Sequence, residues 1–364
     1  MKVLHVINSL ATGGAEKLVL ATVPLLVKKG HVVDVLVLNG IKGPFYKELQ
    51  KLNCCTIHVL GNSYYQPFYM FSIRKYLVAY DLIHVHLFPS QYFVALANLV
   101  TLKPKVLVFT EHSTQNRRLN NTGFKYLERL IYRQYEKIIC ITAGVKDALI
   151  DKLALPAQKL LVIENGIDVK AIGSTPAYDR SILGYQKSDQ LLIMVAGFRK
   201  EKDQDTVVKA MLNLPAHFHL IFVGDGERKP AIMQLAAELN LTSRIKFLGV
   251  RTDVYALLQM ADIAVLSSHW EGFGLAAVEA MAAGLPVLAS DVPGLAQVVT
   301  AGGLLFEKGN EKQLAQLIQE ISSDQVLYAH LVDAGVTKAK LYGIENMVNA
   351  TEQLYQSLAY NSIA

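Results

Sequence analysis

Short runs of Val, Ile and Leu recur along the whole 364-residue chain, each separated from the next by a longer helical stretch. Eleven such runs can be counted: KVLHVI, VVDVLVL, DLIHVH, KVLVFT, KIICIT, LLVIEN, LLIMVAG, FHLIFVG, IKFLG, DIAVLSS and PVLAS. Apolar runs without alternation, spaced by helices, are the pattern of parallel strands covered on both faces. Eleven strands exceed what one comfortable sheet needs, so the pattern predicts an α/β protein made of two doubly wound halves. The polar, Gly- and Pro-containing segment 168–190 (DVKAIGSTPAYDRSILGYQKSDQ) reads as the linker between them, with a new strand starting at Leu191. The predicted halves are 1–173 and 174–344, and 345–364 reads as a terminal amphipathic helix.

Composition narrows the partners. With 52% hydrophobic and 18% charged residues, no segment reads as disordered. A net charge of +5 is too weak to argue for nucleic acid, and it suits anionic small molecules or an anionic membrane surface. Three cysteines, Cys54, Cys55 and Cys140, form neither a disulfide framework nor a metal-site spacing, which points to a reducing, cytoplasmic setting. The start MKVLHVINSLATGGA favours a first β-strand over an export signal. The longest uncharged stretch, LFPSQYFVALANLVTL, is too short and too polar to cross a bilayer, so any membrane contact is expected to be peripheral.

Four stretches carry chemistry. In NSLATGGAEKLVLA, Gly13-Gly14 turns the first strand into a helix beginning at Ala15, and free N–H groups at a helix start attract anions. The G-x-G-x-x-G fingerprint is absent, which argues against hydride transfer. In VAGFRKEKDQDTVVKA, Arg199 and Lys202 fall between a strand and a helix capped by Asp203 or Asp205, where open α/β sheets bind ligands. The D-x-D formed by Asp203 and Asp205 reads as helix capping rather than as a metal site.

The third stretch, HWEGFGLAAVEAMAAGLPV, places Glu271 in a loop, starts a helix at Gly272-Phe273-Gly274, and stops it at Gly284 and Pro286. That helix is apolar on all sides except Glu279. A buried carboxylate needs a partner, and with no Arg or Lys in sequence reach a ligand hydroxyl is the expected one. In the fourth, residues 109–142, His112 follows a strand. Arg117, Arg118, Lys125, Arg129, Arg133 and Lys137 then interleave with Phe124, Tyr126, Leu130, Ile131 and Tyr132. Such a segment suits either the headgroup zone of an anionic membrane or a solvated basic face on a packed helix, and the aromatic run YYQPFYMF (64–71) either extends that surface or packs inside. His84 and His86 share one face of a strand but show no third ligand, so they read as structural or site-lining. No nucleophile elbow supports acyl hydrolysis.

The pair E-x7-E within EGFGLAAVEAMAAGLPVLASDVPG resembles the signature of retaining family 4 glycosyltransferases of the GT-B fold. GGAE, DLIHVH, IENGID, VGDGE and FLGVRTDVYALLQMADIAVLSS fall in that family's order, so the resemblance covers nearly the whole chain. It implies two facing Rossmann-like parallel-sheet domains with a cleft between them, the terminal helix crossing back onto the first. It also implies roles. Glu279 would bind ribose hydroxyls and Glu271 the donor sugar. The backbone of Gly272, Phe273, Gly274 and Leu275, with Gly13 and Gly14 opposite, would cradle the diphosphate that Arg199 and Lys202 neutralise. His112 would line the sugar site, Val250 and Arg251 would contact the base, and Gly224 would belong to the donor pocket. The family usually shows an arginine five residues before the lysine. Gly197 stands there in this chain, and Arg199 is expected to supply the charge.

Together these features imply transfer of a sugar from a nucleotide-diphosphate donor, UDP before GDP, to a glycan acceptor, lipid-linked in surface-polysaccharide synthesis. Neither a metal nor a nucleic-acid partner is expected. The alternatives are a nucleotide-sugar epimerase of the same fold and a non-catalytic sugar-nucleotide binder.

Overall fold

All eleven apolar runs form strands, and among the described residues every ladder between these strands is parallel. The computed structural model describes residues 1–113 and 122–361. The chain separates into two units, Met1–Gly166 together with Ile344–Ala364, and Ile167–Gly343.

The first unit is built on seven strands: β1 (Lys2–Ile7), β2 (Val32–Asn39), β3 (Ile57–Gly61), β4 (Leu82–His86), β5 (Val106–Glu111), β6 (Lys137–Cys140) and β7 (Leu160–Val162). Their order is β3-β2-β1-β4-β5-β6-β7. The chain therefore reverses direction of winding between β1 and β4, the place where such sheets take ligands. β4 is buried along its whole length and β1 everywhere but Lys2, as expected of strands sandwiched between helices. Helix Gly14–Lys28 covers one face with Ala15, Val19, Val23 and Leu26. The terminal helix Ile344–Asn361 packs beside it through Val348, Leu354, Tyr355 and Leu358. Glu352 of that helix fastens it by accepting from Lys29 at 2.7 Å and from His31 at 3.1 Å.

The second unit holds β8 (Gln190–Val195), β9 (Phe218–Val223), β10 (Ile245–Phe247), β11 (Ile263–Leu266), β12 (Val287–Ser290) and β13 (Leu304–Phe306), in the order β10-β9-β8-β11-β12-β13. Its switch point lies between β8 and β11. Leu192, Met194, Phe222, Val265 and Leu288 fill its core.

Two strands, β3 and β13, lie beyond the eleven expected. Both are outermost in their sheets. β3 (IHVLG) has no fully buried residue and β13 is three residues long, so neither needs the continuous apolar run that identified the others. Segment 168–190 is also more ordered than a tether. It forms helix Val169–Ser174, capped by Asp168, and Tyr178 and Arg180 bond the carbonyls of Ala256 and Met260 in the second unit.

Candidate functional site

The residues of the second unit expected from sequence to meet a donor gather at the carboxyl ends of its strands. The loop after β8 carries Gly197, Arg199 and Lys202, and the loop after β11 carries Ser267 through Gly274. These two loops flank the switch point and are tied together. The Ser267 hydroxyl lies 3.0 Å from the Lys202 carbonyl and 2.7 Å from that of Asp203, and the His269 amide donates to Glu201 O at 2.7 Å. The Lys202 ammonium forms an ion pair with Glu271, whose Oε2 also accepts from the Ser268 hydroxyl at 3.3 Å. Two residues separated by 69 positions in sequence thus meet where the topology opens a crevice.

Glycines shape the same edge. Gly274 begins helix Leu275–Ala282 with φ +89°, a left-handed conformation that side chains avoid. Gly294, at φ +85°, lies against the Glu271–Gly272 backbone so closely that a Cβ would stand 2.4 Å from Glu271 O. Gly294 is not among the residues expected from sequence, although its Pro-Gly turn after a strand is a readable signal. Phe273 is buried edge-on against Tyr342, anchoring the loop between two glycines. Gly224 belongs to this edge too. Its amide donates to Gly249 O at 2.8 Å, and a Cβ there would stand 2.1 Å from Ala196 O.

Glu279 is 3% exposed, as its greasy helix requires. It already has an interaction within the protein, so its burial does not of itself demand a ligand, contrary to the expectation from sequence. Arg199 is exposed, and its Nε lies 3.8 Å from where a Cβ of residue 197 would be. Its guanidinium stem therefore occupies the space beside Gly197 where a side chain would start. Val250 is exposed, whereas Arg251 is committed to Asp253 (2.8 and 2.5 Å) and to the ring of Tyr178. Hydrogen bonding to Asp253 pushes the Arg251 guanidinium pKa up and, in return, holds Asp253 below the usual carboxylate range.

The helix-capping reading of the aspartates is corrected. Asp203 occupies the position before helix Gln204–Ala210 but makes no side-chain cap to it. It accepts instead from the Thr206 hydroxyl at 2.6 Å. Asp205 lies in the first turn, where a bidentate pair with Arg228 at 2.9 and 3.0 Å holds it.

In the first unit, Gly13 precedes and Gly14 opens helix Gly14–Lys28, at the carboxyl end of β1. His112 follows β5 and is half-buried. His84 and His86 do share a face, and the expectation that no third histidine joins them fails. His5 of β1 stands in register with His84, and ligand atoms of His5, His84 and His86 all lie within 4.8 Å of one another. The three rings and His112 line a cavity of ≈ 30 Å³ together with Thr110, Met347 and Thr351. Burial pushes His5 down to about 3 and His112 to about 4, and holds His84 and His86 well below the ordinary imidazole value.

Three imidazoles this close are a donor set that zinc or copper would accept. Each of their six ring nitrogens, however, already faces a hydrogen-bonding neighbour.

Helix Thr122–Arg133 carries Lys125, Arg129 and Arg133 next to exposed Phe124, Tyr126 and Leu130. Ile131 and Tyr132 point inward, and Lys137 lies on β6, off that surface, donating to Gln158 O at 2.7 Å. Arg117 and Arg118 lie outside the described residues. Of the aromatic run, Tyr65, Phe68 and Phe71 are exposed and Tyr69 is buried.

Each half of the chain matches a family model: Glycosyltransferase Family 4 over residues 12–171 and Glycosyl transferases group 1 over residues 178–337. The chain is a glycosyltransferase of the GT-B fold. It is similar to the Campylobacter jejuni N-acetylgalactosamine-N,N'-diacetylbacillosaminyl-diphospho-undecaprenol 4-alpha-N-acetylgalactosaminyltransferase, with 24% identity covering 92% of this chain and 94% of that one. It is also similar to the Escherichia coli UDP-Gal:alpha-D-GlcNAc-diphosphoundecaprenol alpha-1,3-galactosyltransferase, with 26% identity covering 78% and 76%. Among solved structures, Anabaena HepE in complex with UDP-glucose superposes with a TM-score of 0.88 at 22% identity, covering 98% of this chain and all of that one. Among the described residues of this glycosyltransferase, no helix is long and apolar enough to cross a membrane.

Proposed function

We propose that this glycosyltransferase takes a UDP-sugar and transfers the sugar, with retention of configuration, to a hydroxyl of a lipid-linked glycan. The observation that carries the reading is the meeting of Lys202 and Glu271 at the switch point of the second sheet, beside the glycine-shaped start of helix Leu275–Ala282. Departure of the nucleotide builds negative charge on a diphosphate. An ammonium and free backbone N–H groups, fixed before the reaction begins, stabilise that charge where it appears. In this reading Glu271 accepts hydroxyls of the transferred sugar, Arg199 adds a second cation in place of the family arginine, and His112 lines the sugar site. Cationic side chains in these roles leave no step that demands a divalent metal. Retention is assigned to a front-face course in which the departing phosphate takes the acceptor's proton. The lipid-linked acceptor is supported by relatives whose names specify diphospho-undecaprenol substrates.

A panel of nucleotide-sugars tested by thermal shift should single out a UDP-sugar, because a ligand bound only by the folded state raises its stability by mass action. Glu279→Gln tests the ribose role in the same assay and by calorimetry. Loss of a hydrogen bond to a charged acceptor is worth about 1.5–3 kcal/mol, so UDP should bind roughly 10- to 100-fold more weakly. Undiminished UDP affinity would remove Glu279 from the donor site.

The same reading includes a membrane surface on helix Thr122–Arg133 of the first unit, formed by Arg129, Arg133 and the exposed Phe124 (50%) and Tyr126 (68%). Basic residues near an anionic leaflet contribute about 1 kcal/mol each. Arg129→Glu with Arg133→Glu should therefore abolish sedimentation with phosphatidylglycerol vesicles while donor binding persists. A wild-type protein that ignores such vesicles would end the membrane part of the reading.

A further inference from the structure

The buried imidazoles of the first unit form a continuous series of contacts. His112 Nε2 lies 3.4 Å from His86 Nδ1, and His86 Nε2 lies 3.1 Å from His5 Nδ1. His5 Nε2 lies 3.4 Å from the Tyr355 hydroxyl, which lies 2.5 Å from His84 Nδ1, and His84 Nε2 lies 2.7 Å from Thr110 Oγ1. His5, His84, His86 and Tyr355 are all at most 5% exposed, so these bonds are shielded from bulk solvent.

A neutral imidazole donates from one nitrogen and accepts at the other. In such a series one choice of tautomer sets all the rest, and only two directions satisfy every member. In one, Tyr355 donates its hydroxyl proton to His84. In the other, it donates to His5. A hydroxyl donor makes the shorter bonds, down to about 2.5 Å, whereas an N–H donor rarely comes within about 2.7 Å of oxygen. The single Tyr355 proton therefore goes to His84 across 2.5 Å, not to His5 across 3.4 Å. His5 Nε2–H then donates to Tyr355, His86 Nε2–H to His5, and His112 Nε2–H to His86. The proton of His112 is thereby placed on Nε2, which leaves Nδ1 as a lone-pair acceptor.

We infer that His5, His86 and Tyr355 are positioning residues for the transfer reaction: their one-way hydrogen-bond series fixes the tautomer and ring orientation of His112 and ties them to the terminal helix. This rests on the sugar-site role proposed for His112, but the tautomer itself is measurable without turnover. It also gives the histidine trio a use as a hydrogen-bonded series in place of an ion site, since a metal would have to break bonds at each ring it took.

The test is long-range 15N–1H correlation of the histidine side chains in the full-length protein near pH 7, with His112 assigned by its absence in His112→Gln. The expected result is a neutral His112 carrying its proton on Nε2. In Tyr355→Phe, His5 Nε2–H loses its acceptor, and His112 should become a mixture of tautomers. His86→Leu should lower kcat roughly 10-fold with the KM for the donor unchanged, the signature of a displaced reacting group rather than lost binding. A wild-type His112 protonated on Nδ1, or tautomer populations indifferent to Tyr355→Phe, would overturn the inference. So would one equivalent of Zn²⁺ retained through gel filtration with His5, His84 and His86 ring signals shifted. Should no nucleotide-sugar be turned over, the wild-type and Tyr355→Phe spectra still decide the series by themselves.

Discussion

Lowering the pH from 7 to 5 should weaken this protein steeply, before most of its carboxylates begin to titrate. His5, His84 and His86 are buried and held neutral, with pKa values pushed below the ordinary 6.5; that of His5 falls to about 3. Above pH 6.5 these rings are neutral in both the folded and the unfolded chain, so their contribution is constant. Below it the unfolded chain takes up protons that the folded chain refuses, and stability falls by about 1.4 kcal/mol per pH unit for each ring. With His112, which burial pushes to about 4, four rings give a slope of roughly 5 kcal/mol per unit, continuing until the folded rings themselves titrate, against a total of about 5–15 kcal/mol for a typical native protein. Carboxylates with lowered values, such as Glu352 beside Lys29 and His31, act in the same direction only below their own range, so the interval between pH 6.5 and 5 isolates the histidines. Urea midpoints should drop sharply across that interval, and His5→Phe should make the slope shallower by about one proton. A midpoint that stays level from pH 7 to 5 would mean that the rings are charged in the fold.

That cluster also shows what the sequence does and does not disclose. DLIHVH announces two histidines on one face of a strand. The third partner lies 79 positions earlier than His84 in KVLHVI, and the two meet because β1 and β4 pair across the switch point, a contact that local pattern does not contain. Tyr355, 271 positions beyond His84, is further out of reach, since it depends on where the terminal helix docks. The parallel strands are legible because burial on both faces demands an unbroken apolar run; β3 is not, because it has no fully buried residue, and β13 offers only the three-residue run LLF. Near the donor residues, the glycine-rich start of helix Leu275–Ala282 could be read directly from EGFG. The tight packing of Gly294 against Glu271 is a distance between loops and has no local trace. Charge was the least reliable guide. Asp203 and Asp205 sit where helix caps sit, yet Asp203 accepts from the Thr206 hydroxyl one turn on and Asp205 pairs with Arg228 from outside that helix.

Replacing Lys202 by Ala should lower kcat by roughly 10²–10³-fold, the usual effect of deleting one preorganised group aimed at developing negative charge. The same change should lower stability by no more than about 1 kcal/mol. The lysine and Glu271 side chains keep 24% and 17% of their surface in solvent, and partly solvated pairs contribute little to folding. Glu271 would not be stranded, since the Ser268 hydroxyl still reaches its Oε2 at 3.3 Å. A structural lysine would give the opposite balance, a large drop in melting temperature with turnover falling only as far as the folded fraction does. Lys202→Arg separates charge from shape. It retains a cation but replaces a compact ammonium by a planar fork, so it should recover part of the lost kcat and not all of it. Glu271→Gln probes the other end of the pair: it frees the ammonium for the diphosphate but weakens the grip on sugar hydroxyls, so UDP affinity should hold or rise while turnover falls. If Lys202→Ala loses stability and turnover in equal measure, and Glu271→Gln weakens UDP as well, the pair is a strut between two loops and the leaving-group charge must be met by other residues.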